Sequence, residues 1–221
     1  MENKEAKPLN FSKAVFAGVV FAAFIVSFIP FVGIPFLWMM TFFHEISHGL
    51  AALVTGGSVK RIELNLDGSG LCVYAGGIRF IVAIAGYLGA VLCGMAIYMS
   101  ASSMDKKRAD HIAIFLTVLV VVSAVLWARD LVTWIIMIIM SVVLISVVKL
   151  KNSVIDQFLM KFIGIYVLLD AVRAPLHLLD GRSIGDGADL AEITFIPEIV
   201  WVIFWLSCGL YGLYFLWKKY H

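Results

Sequence analysis

The chain has 221 residues, of which 62% are hydrophobic and 14% are charged, and its formal net charge is +2. Soluble globular domains carry about 45–50% apolar and about 25% charged residues, so this composition excludes an ordinary soluble domain. The basic residues are scattered, apart from the short run Lys106-Lys107-Arg108 between two apolar segments. We therefore expect no nucleic-acid partner.

Apolar segments follow one another along the chain, and about 20 apolar residues are enough for a helix to cross a bilayer. The first segment is longer than the core of a signal peptide, so we interpret it as a retained membrane helix. The chain is expected to be an all-α polytopic membrane protein with six to seven transmembrane helices. The predicted helices cover residues 14–29, 35–54, 78–100, 109–127, 131–148, 154–179 and 197–217.

The pattern changes after the second helix. Polar and apolar residues alternate from Val59, the step Asp67-Gly68 follows, and a second short run, Leu71-Cys72-Val73-Tyr74, comes next. An Asp-Gly step between two β-prone runs is typical of a hairpin. We predict a small β-hairpin over residues 59–74, lying beside the membrane helices.

The third helix carries glycine at positions 86, 89 and 94. Small residues allow two membrane helices to approach closely. We therefore expect this helix to pack tightly through its glycine face.

The charges give conflicting indications of orientation. Seven crossings would place the two ends of the chain on opposite sides of the membrane. The basic start of the chain, with Lys4, Lys7 and Lys13, favours a cytoplasmic N-terminus. The basic run at 106–108 and the basic C-terminus would then both face away from the cytoplasm, so orientation stays open.

The second helix contains the sequence His44-Glu45-Ile46-Ser47-His48. Residues four apart share one face of a helix, so both imidazoles can bind one Zn²⁺ ion. Glu45 lies about 100° further round the helix and can take a proton from a water molecule at the metal. Ionisable groups in the middle of a membrane helix are costly and are functional candidates. We predict that His44 and His48 bind zinc and that Glu45 is the catalytic base.

A third metal ligand is expected on the helix at 154–180. Asp170 precedes Asp180 by about 15 Å along a helix, which places it near the middle of the membrane at the depth of the histidines. Depth therefore favours Asp170, with Asp180 as the alternative. Arg173, one turn after Asp170, can form a salt bridge with it, or can support the aspartate or an oxyanion.

A glycine- and aspartate-rich stretch at 180–189 precedes the last helix. Its residues Asp186 and Asp189 lie outside the apolar segments. We interpret them as a surface lid or as caps of the last helix.

The stretch at 42–57, FFHEISHGLAALVTGG, resembles the active-site helix of the site-2 protease family of intramembrane zinc metalloproteases. The hairpin and the sequence AGYLG at 85–89 are similar to the compact bacterial branch of that family, as is the tail at 186–205. In the family, the third ligand is an aspartate within N-x-x-P-x-x-x-L-D-G. Here Pro175 and Asp180 match that pattern, whereas Val172 replaces the asparagine, so the resemblance favours Asp180 and depth favours Asp170.

The resemblance implies one membrane-embedded metalloprotease domain over residues 1–221, with an active-site helix at 35–54, the hairpin at 59–74 and a third-ligand helix at 154–180. It implies one Zn²⁺ per chain and a multi-pass protein of the bacterial cytoplasmic membrane. Its partners would be the lipid bilayer and transmembrane or membrane-associated protein substrates. The oligomeric state stays open.

Zinc-dependent hydrolysis of peptide bonds in membrane-embedded substrates is therefore the expected function. A substrate helix must unwind before cleavage, and an extended substrate can pair with the edge of the predicted strand Leu71-Cys72-Val73-Tyr74. The alternatives are a catalytically inactive membrane scaffold of the same fold, a membrane zinc hydrolase acting on a lipid or small amide, and a metal transporter. The intact His44, Glu45 and His48 argue against the scaffold.

Overall fold

A computed structural model of the chain describes residues 13–102, 106–149, 153–182 and 184–220. Eight α-helices and one two-stranded antiparallel sheet form the described part of the chain. The helices are α1 (Lys13–Val26), α2 (Ile34–Val54), α3 (Arg79–Ala101), α4 (Lys106–Trp127), α5 (Leu131–Lys149), α6 (Ser153–Arg173), α7 (Asp186–Thr194) and α8 (Glu198–Tyr220). The strands are β1 (Ser58–Leu64) and β2 (Gly70–Ala75), and a 3-10 segment, Ala174–Asp180, continues α6.

Five of the described helices are long and apolar enough to cross a membrane, compared with the six to seven crossings that the sequence predicts. The helix α1 has 14 residues, a length of about 21 Å, and is shorter than the hydrocarbon core of about 30 Å. The helix α2 has 21 residues, but its two histidines and its glutamate lower its hydropathy, and it is not among the five. The five segments are Arg79–Ala101, Asp110–Trp127, Leu131–Lys149, Ile155–Asp180 and Glu198–Tyr220.

The glycines of α3 bring it into close contact with two neighbouring helices. A Cβ at Gly89 would overlap the side chain of Ser47 on α2. A Cβ at Gly94 would lie 2.9 Å from the carbonyl oxygen of Gly164 on α6. The expected tight packing of this helix is therefore present, and the glycines serve two partners, α2 and α6.

The hairpin folds back along α2. Its strands pair antiparallel, with Ile62 opposite Cys72, which confirms the predicted sheet. The turn of the hairpin is fastened to α2, because Trp38 Nε1 donates to the Asn65 carbonyl at 3.0 Å and Thr41 Oγ1 donates to the Gly68 carbonyl at 2.6 Å. The sheet thus lies inside the bundle, alongside the helix that carries the histidines.

Both ends of the described chain lie at the same end of the bundle. The ammonium of Lys13, at the start of α1, lies 5.1 Å from the ring centroid of Trp217, near the end of α8. The ring of Tyr98, near the end of α3, lies 5.8 Å from Phe16 and 6.0 Å from Tyr220. This arrangement differs from the expectation of ends on opposite sides, because α1 is too short to be a full crossing.

The predicted helix at 154–179 is divided in the structure. The helix α6 ends at Arg173, the 3-10 segment follows, and the chain then turns through Gly181 and Gly185, which have φ values of 80° and 107°. These two glycines allow the chain to reverse and to start α7 at Asp186, a helix that the sequence analysis assigned to a loop. The helix α7 packs against α3 and α8, and its Leu190 is completely buried.

Candidate metal centre

Three side chains from two helices converge at one point in the bundle. On α2, the Nε2 atoms of His44 and His48 lie 2.9 Å apart. The Oδ2 atom of Asp186, in the first turn of α7, lies 3.1 Å from His44 Nε2 and 3.2 Å from His48 Nε2. Among the described residues, these three form the group of His, Cys, Asp and Glu side chains close enough to share one metal ion.

The surroundings of the histidines fix their orientation. His48 Nδ1 lies 2.7 Å from the carbonyl oxygen of Val82 on α3, so Nδ1 carries the proton and donates it, and Nε2 presents a lone pair. A Cβ at Gly86 would overlap both imidazoles. The backbone of α3 therefore lies directly against the two rings, and glycine at position 86 makes room for them.

The geometry of this group fits a zinc ion. Ligand atoms about 2.0–2.1 Å from a tetrahedral zinc are separated by about 3.3 Å, close to the three distances observed. The Asp186 Oδ2 atom is buried and has no hydrogen-bond partner among the described residues, although it lies near both imidazoles. A buried carboxylate oxygen in that position is accounted for by a cation shared with the histidines.

The charge of Asp186 is also stabilised locally. Burial by itself would raise the pKa of the Asp186 carboxyl. The neighbouring His48 and His44 outweigh burial and hold this pKa below its ordinary value. The ionised carboxylate is the form in which an aspartate binds a metal ion.

The structure brings neither of the aspartates proposed from the sequence to the histidine pair. Asp170 is half-buried on α6 and lines the same cavity, outside the group of three. Asp180 is exposed at the end of the 3-10 segment, where its Oδ2 atom accepts a hydrogen bond from Arg182 Nε at 2.6 Å. The depth estimate assumed that one straight helix carried the ligand, whereas the chain reverses after residue 180 and returns an aspartate from α7.

Arg173 lines the cavity but does not contact Asp186 or the histidines in the way expected of a supporting group. Its guanidinium donates a hydrogen bond to Ser27 Oγ and lies 4.9 Å from the ring centroid of Phe28. No salt bridge joins it to Asp170 among the described residues. Arg173 thus connects α6 to the end of α1.

Glu45 lies where a catalytic base is needed. It is 7% exposed and lines a cavity of about 660 Å³ together with His44, His48 and Asp186. The backbone of Cys72 on β2 lies close to its carboxylate. The hairpin therefore borders Glu45 at the cavity that the three candidate ligands share.

The strand β2 borders this cavity, and β1 lies behind it. The Leu64 N–H donates to Thr133 Oγ1 on α5 at 2.9 Å, so it points away from β2. In an antiparallel ladder the bonding direction alternates, and the N–H and C=O groups of Cys72 must then point away from β1. Of the predicted strand residues, Leu71, Cys72 and Tyr74 line the cavity.

Asp186 is a candidate ligand that sequence reasoning did not assign to the metal. No long apolar period marks α7, and the glycines around it are typical of a loop. The available signal was the short run Asp186-Gly187-Ala188-Asp189-Leu190, an acidic helix start after a glycine followed by an apolar residue. A search for hydrophobic periodicity uses a window longer than this helix, so it does not detect the helix.

Paired histidines one helical turn apart, a nearby carboxylate and an adjacent glutamate inside apolar helices are typical of a membrane metallopeptidase. Residues 16–217 match the family model described as Peptidase M50B-like. The chain belongs to this family, which confirms the resemblance to the site-2 proteases. No match to this chain is found among curated proteins or among solved structures.

The family and the five apolar helices together identify an integral membrane protein of the metallopeptidase class.

Proposed function

We propose that the protein is a zinc-dependent intramembrane endopeptidase that hydrolyses peptide bonds of membrane-embedded protein substrates. The observation that carries this proposal is the convergence of His44, His48 and Asp186 within 2.9–3.2 Å of one another, beside the buried carboxylate of Glu45. A metal-handling scaffold or transporter would have no need for a carboxylate held next to the ligand group.

The ligands in this proposal are His44, His48 and Asp186, with one zinc ion per chain. Zinc bound there supplies a Lewis acid that activates a water molecule and polarises the carbonyl of the scissile bond. Val82 keeps His48 in the tautomer that a ligand needs, and Gly86 keeps space for both rings.

Glu45 moves the protons of the reaction. It takes a proton from the attacking water as the new C–O bond forms, and delivers a proton to the leaving nitrogen as the C–N bond breaks. The products are a carboxylic acid and an amine, and Glu45 returns to its starting state. Its buried position beside the candidate ligand group suits this role.

Substrates are proposed to bind as an extended strand beside β2. A helical substrate has its backbone amides bonded internally, so the segment to be cleaved must unwind and find new partners. The cavity-facing N–H and C=O groups of Cys72 offer such partners, and Leu71 and Tyr74 flank them.

The deciding experiment combines metal analysis with turnover. The purified protein is expected to contain about one zinc per chain and to cleave a transmembrane peptide in detergent or liposomes. Glu45→Gln should keep the zinc and lose at least about 10³-fold in turnover, because the ligands remain while the proton acceptor is gone. His48→Ala should lose both metal and activity.

A folded wild-type protein that stays free of zinc after zinc is supplied would overturn the proposal in favour of the scaffold. A zinc-loaded protein that hydrolyses a lipid or a small amide, and leaves membrane peptides intact, would replace the peptidase by the alternative hydrolase.

A further inference from the structure

Three tyrosines line the cavity: Tyr74, Tyr87 and Tyr166. They differ in what their hydroxyl groups contact. The Tyr166 hydroxyl donates to the Gly33 carbonyl oxygen at 3.1 Å and is therefore engaged in holding the start of α2. Tyr74 lies at the outer end of β2 and is half-exposed.

Tyr87 lies directly against the candidate metal centre. Its ring is 4.4 Å from the ring of His44, at an interplanar angle of 70°. The ring of Trp205 on α8 lies 4.8 Å from the Tyr87 ring. Trp205 is completely buried, and its Nε1 atom donates to the Ile84 carbonyl at 3.3 Å, so this support is itself fixed.

The hydroxyl of Tyr87 remains available to a ligand. Within the described residues it makes no hydrogen bond, and it is not among the buried polar atoms that lack a partner. The side chain is 9% exposed and this exposure is towards the cavity. Tyr87 lines the same cavity as Asp186 and Glu45.

We infer that Tyr87 is a further catalytic residue, whose hydroxyl donates a hydrogen bond to the carbonyl oxygen of the scissile bond as that oxygen gains negative charge. This inference rests on the proposed peptidase function. A phenol is protonated at neutral pH and can donate. A donor held by two ring contacts stabilises the developing charge without a reorganisation cost at the moment of reaction.

The test replaces Tyr87 by phenylalanine, which keeps both ring contacts and removes the hydroxyl. Tyr87→Phe is expected to keep one zinc per chain and a KM within about twofold of wild type, while kcat falls about 100-fold. The affinity for a peptide phosphinate, whose tetrahedral oxygen resembles the charged oxygen of the transition state, should fall by a similar factor.

Tyr166→Phe is the matched control, because it removes a hydroxyl from the same cavity that is already bonded to the backbone. It should keep kcat and phosphinate affinity within about threefold of wild type. Thermal unfolding of the variants verifies that each is folded.

A Tyr87→Phe protein with wild-type kcat and wild-type phosphinate affinity would overturn the inference and leave the peptidase proposal intact. A loss of zinc in Tyr87→Phe would also overturn it, since the residue would then support the metal ligands. A wild-type protein without zinc or cleavage would instead refute the proposed function itself.

Discussion

Asp186 reaches the histidine pair from a short helix that begins with it. The side chain is the first residue after Gly185, whose φ of 107° allows the chain to turn into the bundle. One carboxylate thus depends on a glycine turn for its position. Single substitutions of the aspartates can therefore identify the third ligand.

Asp186→Ala is expected to lower zinc content from about one ion per chain to near zero at micromolar free zinc, because two imidazoles alone form a weak site. Asp170→Ala and Asp189→Ala should keep the zinc, since both residues line the cavity outside the ligand group. Elemental analysis of the purified proteins measures the zinc content per chain. Zinc retained in Asp186→Ala and lost in Asp170→Ala would restore the assignment made from helix depth.

Gly86 is a second residue on which the centre depends. Alanine at this position would drive a methyl group into both imidazoles, so zinc affinity should fall by about 10- to 100-fold. Gly94→Ala on the same helix is the matched control. It should destabilise the contact between α3 and α6 and lower the Tm, and its folded fraction should bind zinc normally. Equal zinc affinities in the two variants, measured by competition with a chelator, would refute the role of Gly86.

The sequence predicts residues well where chemistry and helical spacing coincide. His44, Glu45 and His48 are easy to identify, because ionisable groups in an apolar helix are energetically costly and are usually kept for a function. Asp186 could not be found in this way, because its contact depends on a chain reversal. Two glycines at positive φ produce that reversal, and spacing along a helix carries no information about it.

At the scale of elements, the hairpin packs against α2, the helix with the two histidines, and lines the same cavity. Its two strands were predictable from the alternation and the Asp-Gly turn, and β1 and β2 match that prediction closely. Its placement against the helices was not, because hydrogen bonds with Trp38, Thr41 and Thr133 determine it. Such contacts join residues that are far apart in the sequence.

Cys72→Pro tests whether substrates pair with β2. Proline removes the cavity-facing N–H and leaves the bonds from Leu71 and Val73 to β1. KM for an extended membrane peptide should rise at least about tenfold, while a dipeptide amide too short to pair should be cleaved as by wild type. An equal loss for both substrates would show that the proline acts through Glu45, which the Cys72 backbone also contacts.

Lys60→Pro is a suitable control for that experiment. Lys60 lies at the irregularity between Val59 and Arg61 and has no partner in the strand register. Proline is tolerated at such bulges. This variant should therefore keep KM near the wild-type value for both substrates.

At the scale of the whole molecule, the shared location of the two chain ends resolves the conflict among the charges. We propose that α1 enters the membrane only in part and that α2 crosses it together with the five long apolar helices, which puts both ends of the described chain on the same side. In that arrangement the start of α4 and the ends of α5 and α8 lie on the side of Lys13. The basic residues in those segments are Lys106, Lys107, Arg108, Lys149, Lys218 and Lys219.

The positive-inside rule then predicts that this end of the bundle faces the cytoplasm. A cysteine introduced at Ser102, at the end of α3, should react with an impermeant maleimide only after cells are opened. A cysteine at Arg129, between α4 and α5, should react in intact cells. The wild-type chain is the blank for both measurements, because Cys72 is buried and any labelling of the partly buried Cys93 and Cys208 is subtracted with it. If the Arg129 cysteine reacted only in opened cells and the Ser102 cysteine in intact cells, the protein would have the opposite orientation.

The way the hairpin folds back along α2 fixes the chain direction of a substrate segment that pairs with it. The strand β1 runs from the end of α2 into the bundle, and β2 returns to Ala75. A substrate segment that pairs antiparallel with β2 must run inward as β1 does, with its N-terminal flank at the end of the hairpin near Ser58. Consider two membrane proteins that carry the same cleavable sequence in opposite membrane topologies. Only the one whose chain runs inward from its N-terminal flank could pair antiparallel with β2, so only that protein would be cleaved.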